Sequence, residues 1–396
     1  MSLKIIRRDN DELHFTMDDV DTSFVNSIRR IVLSECETIG FNTDEYLNSD
    51  LKMLENTSSL HNEFILHRFG LIPINISDVT NFHNSKYKFV LKKENTTNDI
   101  ISVTTEDFQV FDTESNTEIP SIDFFPPNKE TGEYISLLKL KSNPNKKGEK
   151  IHLEGKATRS SGNKNARYSP VSCIYYRNIQ DPEKQKAVFE NYLVKKNAQD
   201  VEKKEQDILQ RRFMLEEGER YFYTDEDGEP NKFQFYIESV GVIEPHLILK
   251  EAISILKKKL LQLKNNVAKI TENNDSVEGI DIRESIGTMK AYTINIQNET
   301  HTLGNLIQSY IAKIHKNQIL FVGYRNPHPL KNNIEIKLAA NSHSMTSVND
   351  IIGNTCDHII AITDQLLTTI DSHFNITNKD KDKIKIKNPK SKKEAI

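Results

Sequence analysis

The sequence predicts an α+β protein made of two similar halves, the first of which is interrupted by a β-rich insert. Each half opens with strand-like segments and a capped amphipathic helix, and each closes with a long amphipathic helix. From about residue 45 to residue 170, short β-like runs alternate with clusters of Asn, Thr, Pro and Gly. A chain of 396 residues has room for two or three such domains.

The first half begins with two short strands around a polar turn, in LKIIRRDNDELHFTM. In the following DTSFVNSIRRIVLSE, residues 21–23 can cap a helix. Apolar residues at helical spacing predict its single buried face: Phe24, Val25, Ile28, Ile31 and Val32. Arg29 and Arg30 lie largely outside this face.

After the insert, VSCIYYRN and KFQFYIESVG are predicted strands, separated by a highly charged and helical segment at 182–217 that has no assigned role. A long helix is then predicted at 246–264, with lysines towards its C-terminal end. Its apolar stripe consists of Leu249, Ala252, Ile253, Leu256, Leu260 and Leu263.

Residues 266–285 are polar and without a sustained period, which predicts a linker before the second half. KAYTINIQNE then alternates as a strand, and a helix capped by Thr300 or Thr302 buries Leu303, Leu306 and Ile307 on one face. Two strands around an Asn-Pro-His-Pro turn lead to a final helix at 348–371. Its narrow seam consists of Val348, Ile352, Thr355, Ile359, Ile362, Leu366 and Thr369.

The two halves resemble each other closely enough to pair within one chain. Ser23, Asn26 and Ile28 of the first short helix align loosely with Thr302, Asn305 and Ile307 of the second. Each half exposes an apolar stripe that the other can cover, as in an intramolecular pseudo-dimer. Joining the halves also replaces a bimolecular association with one at high effective concentration.

Bulk composition indicates an intracellular, soluble protein. The formal charge of −4 does not draw the chain as a whole to nucleic acid or membrane. Three scattered cysteines predict free thiols in a reducing compartment. No long apolar run or signal-peptide core occurs.

The segment LHNEFILHRFGLIPI places His61, Glu63 and His67 close in sequence and raises the possibility of a metal site. On a helix only Glu63 and His67 share a face, whereas a helical zinc hydrolase needs two histidines four residues apart. We therefore expect no metal here. The alternative is a metal-dependent hydrolase that uses these residues with a distant ligand such as His301.

A second alternative rests on the stretch from Lys146 to Arg167, which is predicted to be loop-rich and carries seven basic residues against two glutamates. Together with the lysine-rich tail it suggests a nucleic-acid-binding adapter. Tyr168 is its single stacking aromatic, so a solvated loop is the favoured interpretation.

Long motifs resemble one family. NSIRRIVLSE, LHNEFILHRFGLIPI, RYSPVSCIYYRN and FYIESVG resemble, in this order, the third-largest subunit of eukaryotic RNA polymerase II and the archaeal D subunit. ETHTLGNLIQSYIAKIHKNQILFVGYRNPHPLKNNIEIKL resembles the eleventh subunit of that polymerase and the archaeal L subunit. The resemblance covers nearly the whole chain apart from the linker and the tail.

This resemblance implies a fusion of two alpha-like dimerisation domains. The implied domains are a D-like domain at 1–45 plus 171–265, a β-rich insert at 46–170, a linker at 266–285, an L-like domain at 286–375 and a disordered basic tail at 376–396. Such fusions are similar to those that large nucleocytoplasmic DNA viruses encode. They would place the protein in host cytoplasm or a virion, with the nucleus as another location.

The resemblance also implies a non-catalytic assembly platform of DNA-directed RNA polymerase, without cofactor. Its partners would be the largest and second-largest subunits and small polymerase subunits, with DNA and RNA reached only through the complex and no membrane contact. Some relatives carry metal-binding cysteine clusters in the insert. Residues 45–170 contain no cysteine, which predicts no metal.

Site residues follow from the matching motifs. The resemblance implies that Arg29, Arg30, His67 and Arg68 contact the second-largest subunit. In the L-like half Gln308 and Ser309 replace the two helix arginines, which suggests that this half faces the largest subunit. The expected intramolecular interface consists of Phe24, Ile28, Ile31, Leu303, Leu306, Ile307, Ile359 and Leu366.

Overall fold

The computed structural model describes residues 1–9, 11–76, 78–143, 148–196, 203–273, 277–285 and 289–374. The helices in these ranges are α1 (Thr22–Ser34), α2 (Asn62–Gly70), α3 (Pro182–Lys195), α4 (Lys203–Glu216), α5 (Pro245–Asn273), α6 (His301–Ile314) and α7 (Met345–Phe374). The strands of the N-terminal part are β1 (Ser2–Arg8), β2 (Glu12–Asp18), β3 (Glu37–Gly40), β4 (Leu51–Asn56), β5 (Tyr87–Glu94), β6 (Ile101–Thr104), β7 (Phe108–Asp112), β8 (Thr117–Ile119) and β9 (Ser136–Leu140). They are followed by β10 (Lys150–Gly155), β11 (Thr158–Ser161), β12 (Val171–Asn178), β13 (Lys232–Ser239), β14 (Ile280–Ser285), β15 (Ala291–Gln297), β16 (Ile319–Arg325) and β17 (Asn333–Ala340).

The chain divides into two compact units. The first contains residues 1–31, 173–238 and 249–373, and the second contains residues 32–172 and 239–248 together with Phe374. The second unit begins before residue 46, where the sequence placed the insert. The reason is that β3 pairs with β11 and so joins the β-rich part of the chain.

The first unit contains two four-stranded antiparallel sheets of the same topology, in the orders β1-β2-β13-β12 and β14-β15-β17-β16. We call β1, β2, α1, β12, β13 and α5 the first repeat, and β14, β15, α6, β16, β17 and α7 the second repeat. Corresponding elements follow one another in the same order in both repeats. The expectation of two similar halves is confirmed at the level of strand order.

Each sheet has one apolar face, as alternating strands require. In the first repeat, Leu13, Phe15 and Met17 of β2 are buried, and Phe15 stacks on Phe235 of β13 with ring centroids 4.9 Å apart. The second repeat buries Ile294 of β15 among other apolar residues. Further buried side chains of this sheet are Ile296, Ile334, Ile336 and Leu338.

The two long helices exceed their predicted ranges, since α5 has 29 residues and α7 has 30. The predicted seam of α7 needs correction after Ile359, because Thr363 and Ile370 are buried where Ile362 and Thr369 were expected. A straight helix drifts by about 20° per heptad from a 3.5-residue repeat, which moves the buried face by one position. Among the described residues no helix is both long and apolar enough to cross a membrane.

The segment predicted as a linker, 266–285, is largely regular structure. Helix α5 continues to Asn273, and β14 pairs along its length with β15. Strand β14 has no fully buried residue, and Ile280 and Ile282 are its only apolar residues, so its sequence gives a weak strand signal. The predicted tail, 376–396, lies outside the described residues.

The second unit is β-rich, as predicted for the insert. Its main sheet has the order β4-β10-β5-β7-β8, and two smaller sheets pair β3 with β11 and β6 with β9. Its core combines aliphatic side chains with rings that pack against one another: Phe41, Phe69, Phe89, Phe108, Phe124 and Phe125.

The charged segment at 182–217 forms α3 and α4, which confirms its predicted helical character. The two helices meet through Phe189 and Phe213, whose ring centroids lie 5.3 Å apart. Phe213 is buried, whereas most other side chains of both helices face solvent. Asp181 caps α3 by accepting hydrogen bonds from two backbone N–H groups.

The three cysteines are free thiols, as the sequence predicted. Cys356 is fully buried in α7, and burial raises the pKa of its thiol to about 12. This thiol is therefore protonated and unreactive at neutral pH.

Candidate functional site

Contacts between the two repeats come from α1 and α6 and from the residue that caps α1. Asp21 caps α1 by accepting a hydrogen bond of 2.7 Å from the Ser23 N–H, and Thr300 caps α6 in a similar way at 3.4 Å. The buried Ser27 hydroxyl lies 2.7 Å from the carbonyl of Ser23 and 3.3 Å from that of Thr302, so it can donate across the repeats.

The apolar residues predicted for the intramolecular interface are all buried. None of these side chains is more than 2% exposed: Phe24, Ile28, Ile31, Leu303, Leu306, Ile307, Ile359 and Leu366. A cluster of this kind makes the largest favourable contribution to the stability of a fold, because its apolar surface is removed from water.

Gly304 in α6 allows a close approach that the sequence alone does not reveal. A Cβ atom at this position would lie 2.6 Å from Cδ2 of Tyr324 in β16. In the alignment of the two short helices, the first repeat has the buried Val25 at the corresponding position. The glycine therefore marks a place where the two repeats pack differently.

The two arginines of α1 are half-buried and have different partners. Arg29 donates from Nε and Nη2 to the side-chain oxygen of Asn26, one turn earlier, at 3.1 and 2.9 Å. Arg30 donates from Nε to the hydroxyl of Thr302 in the second repeat, at 2.7 Å. Arg30 thus links the two repeats, which the motif did not indicate.

The repeats are also joined by an ionic contact that the sequence did not predict. Lys313 of α6 lies 2.6 Å from a carboxylate oxygen of Asp21 and 2.9 Å from one of Asp225. Burial opposes the charged form of Lys313, but the two carboxylates outweigh it and raise the lysine pKa. Burial likewise acts to raise the pKa of Asp225, yet the hydrogen bond from Lys313 and nearby backbone N–H groups hold it below its usual value.

In the second unit, His67 and Arg68 lie on the exposed side of α2. Phe64 is 69% exposed and Leu71, which caps the helix, is 58% exposed. These four residues lie at helical spacing on one face. Arg68 also donates from Nη2 to the carbonyl of Ser136 at 3.1 Å. The opposite face of α2 buries its apolar residues in the core of the unit.

His61, Glu63 and His67, which were considered for a metal site, lie in or next to α2. His61 precedes α2, and its Nδ1 accepts a hydrogen bond from the Glu63 N–H at 3.4 Å. Among the described residues no three His, Cys, Asp or Glu side chains are grouped so that they could hold a metal ion. His301 lies in the first unit and Glu63 in the second.

The basic stretch is not the loop that the sequence predicted, because it contains β10 and β11. Three of its positive charges are paired with carboxylates within the second unit. Arg167 has a side chain that is only 6% exposed and lies 2.5 Å from Asp44, and Arg159 pairs with Glu37. Lys150 pairs with Glu55 at 2.5 Å. Neighbouring carboxylates already neutralise these three charges, which weakens the case for phosphate binding. Lys146, Lys147 and the lysine-rich tail lie outside the described residues.

Comparison with known proteins decides the family. A model of the RNA polymerase Rpb3/Rpb11 dimerisation domain matches residues 14–260, which is more than half of the chain. The chain belongs to this Rpb3/Rpb11 dimerisation-domain family. A second model of the same description matches residues 291–369. The dimerisation domain is therefore present twice, consistent with a fusion, as the sequence motifs predicted.

Relatives of the chain come from eukaryotes and archaea. A conjugation stage-specific protein of Tetrahymena thermophila is 27% identical over 300 residues, which cover 65% of this chain and 92% of the relative. Subunit 3 of DNA-directed RNA polymerases II, IV and V of Arabidopsis thaliana is 24% identical over 301 residues, or 65% and 88% of the two chains. RNA polymerase II subunit rpb3 of Dictyostelium discoideum is 24% identical over 303 residues, or 67% and 94%.

Proposed function

We propose that this protein is a non-catalytic structural subunit of DNA-directed RNA polymerase, acting as the platform on which the two large catalytic subunits assemble. The observation that carries this proposal is the presence of two Rpb3/Rpb11 dimerisation domains in one chain. Named relatives of the chain are third subunits of such polymerases. Small polymerase subunits are further expected partners, with nucleic acid reached only through the complex.

The platform would be an intramolecular pair of the two repeats. Its interface is proposed to be the buried cluster centred on Ile28 and Ile307. Burying a large apolar side chain contributes about 1.5–3 kcal/mol. The cluster therefore stabilises the pair far more than the polar contacts from Ser27, Arg30 and Lys313, which set its geometry.

The second-largest subunit would bind Arg29, Arg30, His67 and Arg68. The exposed face of α2 supports this role because it combines a histidine, an arginine and two exposed apolar side chains, a composition suited to protein contact. The Nε–H group of Arg30 already donates to Thr302 of the second repeat.

The largest subunit would bind the second repeat. Gln308 and Ser309 stand in α6 where α1 has its two arginines, and both are half-buried. This difference in charge gives the two repeats distinct surfaces, so that each large subunit can recognise one side of the pair.

An experiment tests the surface on α2. The tagged chain with Arg68→Glu is purified from its native cells beside the wild type and the control Arg212→Glu, which alters an exposed arginine of α4. We expect Arg68→Glu to lower recovery of the second-largest subunit at least about tenfold, corresponding to 1.4 kcal/mol. The control should recover it fully. Equal recovery by these three chains and by a fourth, which adds Arg29→Glu to Arg68→Glu, would overturn the proposed contact.

We also propose that the fused subunit works inside a cell infected by a large DNA virus, in host cytoplasm or in the virion, with the nucleus as the other location. The support is the fusion itself and a sequence rich in Asn, Lys and Ile. Antibody labelling of the source cells with electron microscopy tests it. Labelling confined to the nucleus of uninfected cells would contradict a viral role.

A further inference from the structure

Helices α5 and α7 are joined by a ladder of three ion pairs. Lys250 lies 2.5 Å from Asp371, Lys257 lies 2.5 Å from Asp364, and a third pair follows one step further on. In that third pair, Lys264 lies 2.6 Å from Asp357. The lysines recur every seven residues along α5 and the aspartates every seven residues in the opposite direction along α7. The ladder therefore fixes an antiparallel register between the two helices.

The charges on these helices are sorted by sign. Helix α5 carries six lysines and two glutamates, whereas α7 carries four aspartates and neither lysine nor arginine. Beside the ladder runs the buried apolar stripe, with Leu256, Leu260 and Leu263 on α5 and Ile359 and Leu366 on α7. An apolar stripe has little power to choose its partner, because any similar stripe can cover it.

Because the two repeats are equivalent, each long helix has more than one possible packing partner. Since α5 and α7 occupy the same place in repeats of identical strand order, each could pair with a copy of itself from another chain. Such a pair of α5 helices would place lysine rows side by side, and a pair of α7 helices would do the same with aspartates. Like charges at these positions oppose association, whereas opposite charges favour it.

We propose that the ladder selects the pairing partner: it directs α5 to α7 and opposes association of two copies of the chain through α5 with α5 or α7 with α7. The inference does not depend on the polymerase role. All six side chains are partly exposed, so each pair adds little stability by itself. The discrimination arises from the difference between three attractive and three repulsive contacts.

Charge reversal in the full chain places like charges between α5 and α7 and so reproduces the repulsion of each wrong pairing. The variant Asp357→Lys, Asp364→Lys, Asp371→Lys gives α7 the charge row that a second α5 would present. The variant Lys250→Asp, Lys257→Asp, Lys264→Asp gives α5 the row of negative charges that a second α7 would present. We expect each to lower the melting temperature by about 3–8 °C. The chain with all six reversals should recover more than half of that loss, because the pairs are then attractive again.

A matched control separates the ladder from general charge effects. The double variant Lys257→Asp, Lys264→Asp is compared with Lys258→Asp, Lys269→Asp, which makes the same changes at exposed positions of the same helix. We expect the melting temperature to fall at least twice as far in the ladder variant as in the control. The difference between the two variants should shrink in 1 M salt, where the Debye length is about 3 Å. Should the triple variants prove too unstable to purify, the single reversals Lys257→Asp and Asp364→Lys and their combination provide the same comparison. Equal losses for both double variants, or no recovery on combining the reversals, would overturn the proposal.

Discussion

The first and second repeats share one strand order but differ in how they are connected. In the second repeat, residues 315–318 are all that separates α6 from β16, whereas in the first repeat most of the second unit is inserted between α1 and β12. The sheet order is nevertheless the same. A loop on the surface of a repeat therefore accepts a whole folded unit without changing the strand pairing around it.

The repeats also differ in the residues that they present. Val25 of α1 corresponds to Gly304 of α6, and the arginines of α1 correspond to Gln308 and Ser309. Lysines on α5 face aspartates on α7. Two repeats with the same strand order can bind different partners only if the side chains that they present differ. Changes at equivalent positions test this difference.

The largest expected effect follows from placing charge in the apolar centre. The double variant Ile28→Asp, Ile307→Asp buries two carboxylates that have no partner, so we expect it to lose more than about 4 kcal/mol of unfolding free energy or fail to fold. Denaturant unfolding measures this loss. Ile208→Asp, at a position 65% exposed in α4, is the control and should change stability by less than about 0.5 kcal/mol. An unchanged melting temperature in the double variant would contradict the proposed interface.

The two helical glycines of the second repeat should respond in opposite directions to the same substitution. Gly304→Ala brings a Cβ against Tyr324 and is expected to cost about 1–3 kcal/mol. Gly353→Ala in α7 adds a Cβ in open space and should stabilise the chain by about 0.4–1 kcal/mol. Thermal unfolding of both variants measures the difference. If both substitutions changed the melting temperature in the same direction, the result would contradict the close approach of α6 to β16.

The lysines at the end of α6 provide the next comparison. Lys313→Met leaves Asp21, whose side chain is 11% exposed, and Asp225 without this partner, and is expected to cost about 1–3 kcal/mol. Lys316→Met removes a pair with Asp227 in which both side chains are about half exposed. That change should cost less than about 1 kcal/mol. If urea unfolding showed similar losses of unfolding free energy for the two variants, the larger contribution assigned to Lys313 would be wrong.

The smallest expected effect is a pH dependence from the same contact. The pKa of Asp225 is held below 3.8 in the folded chain, so its stabilising contribution is present above 3.8 and is lost as the pH falls through the lower folded value. The raised pKa of Lys313 acts in reverse: its contribution is present below 10.5 and is lost as the pH rises through the higher folded value. Unfolding free energies of wild type and Lys313→Met, measured from neutral pH to below 3.8, should converge as the pH falls. A constant difference between the two would argue against this ion pair.

Much of the fold could be predicted because periodicity reports burial. The α1 stripe, the alternation of β2 and β13 and the long final helix all follow from apolar spacing. Strand β14 and the end of α5 could not be predicted, since they bury little and lie in polar sequence. The burial of the apolar residues in the proposed interface was also predictable. Its polar contacts, such as Arg30 with Thr302 and Lys313 with Asp225, were not, because they join residues far apart in the chain.

We have proposed that one chain supplies both members of the dimerising pair in a polymerase. The most direct test is affinity purification of the tagged chain from its native cells in moderate salt, followed by quantitative mass spectrometry. We expect one copy of this chain for each copy of the two large catalytic subunits, and no separate subunit carrying an Rpb3/Rpb11 dimerisation domain. Recovery of two copies of the chain per complex, of a separate dimerisation partner, or of the chain alone would contradict the claim.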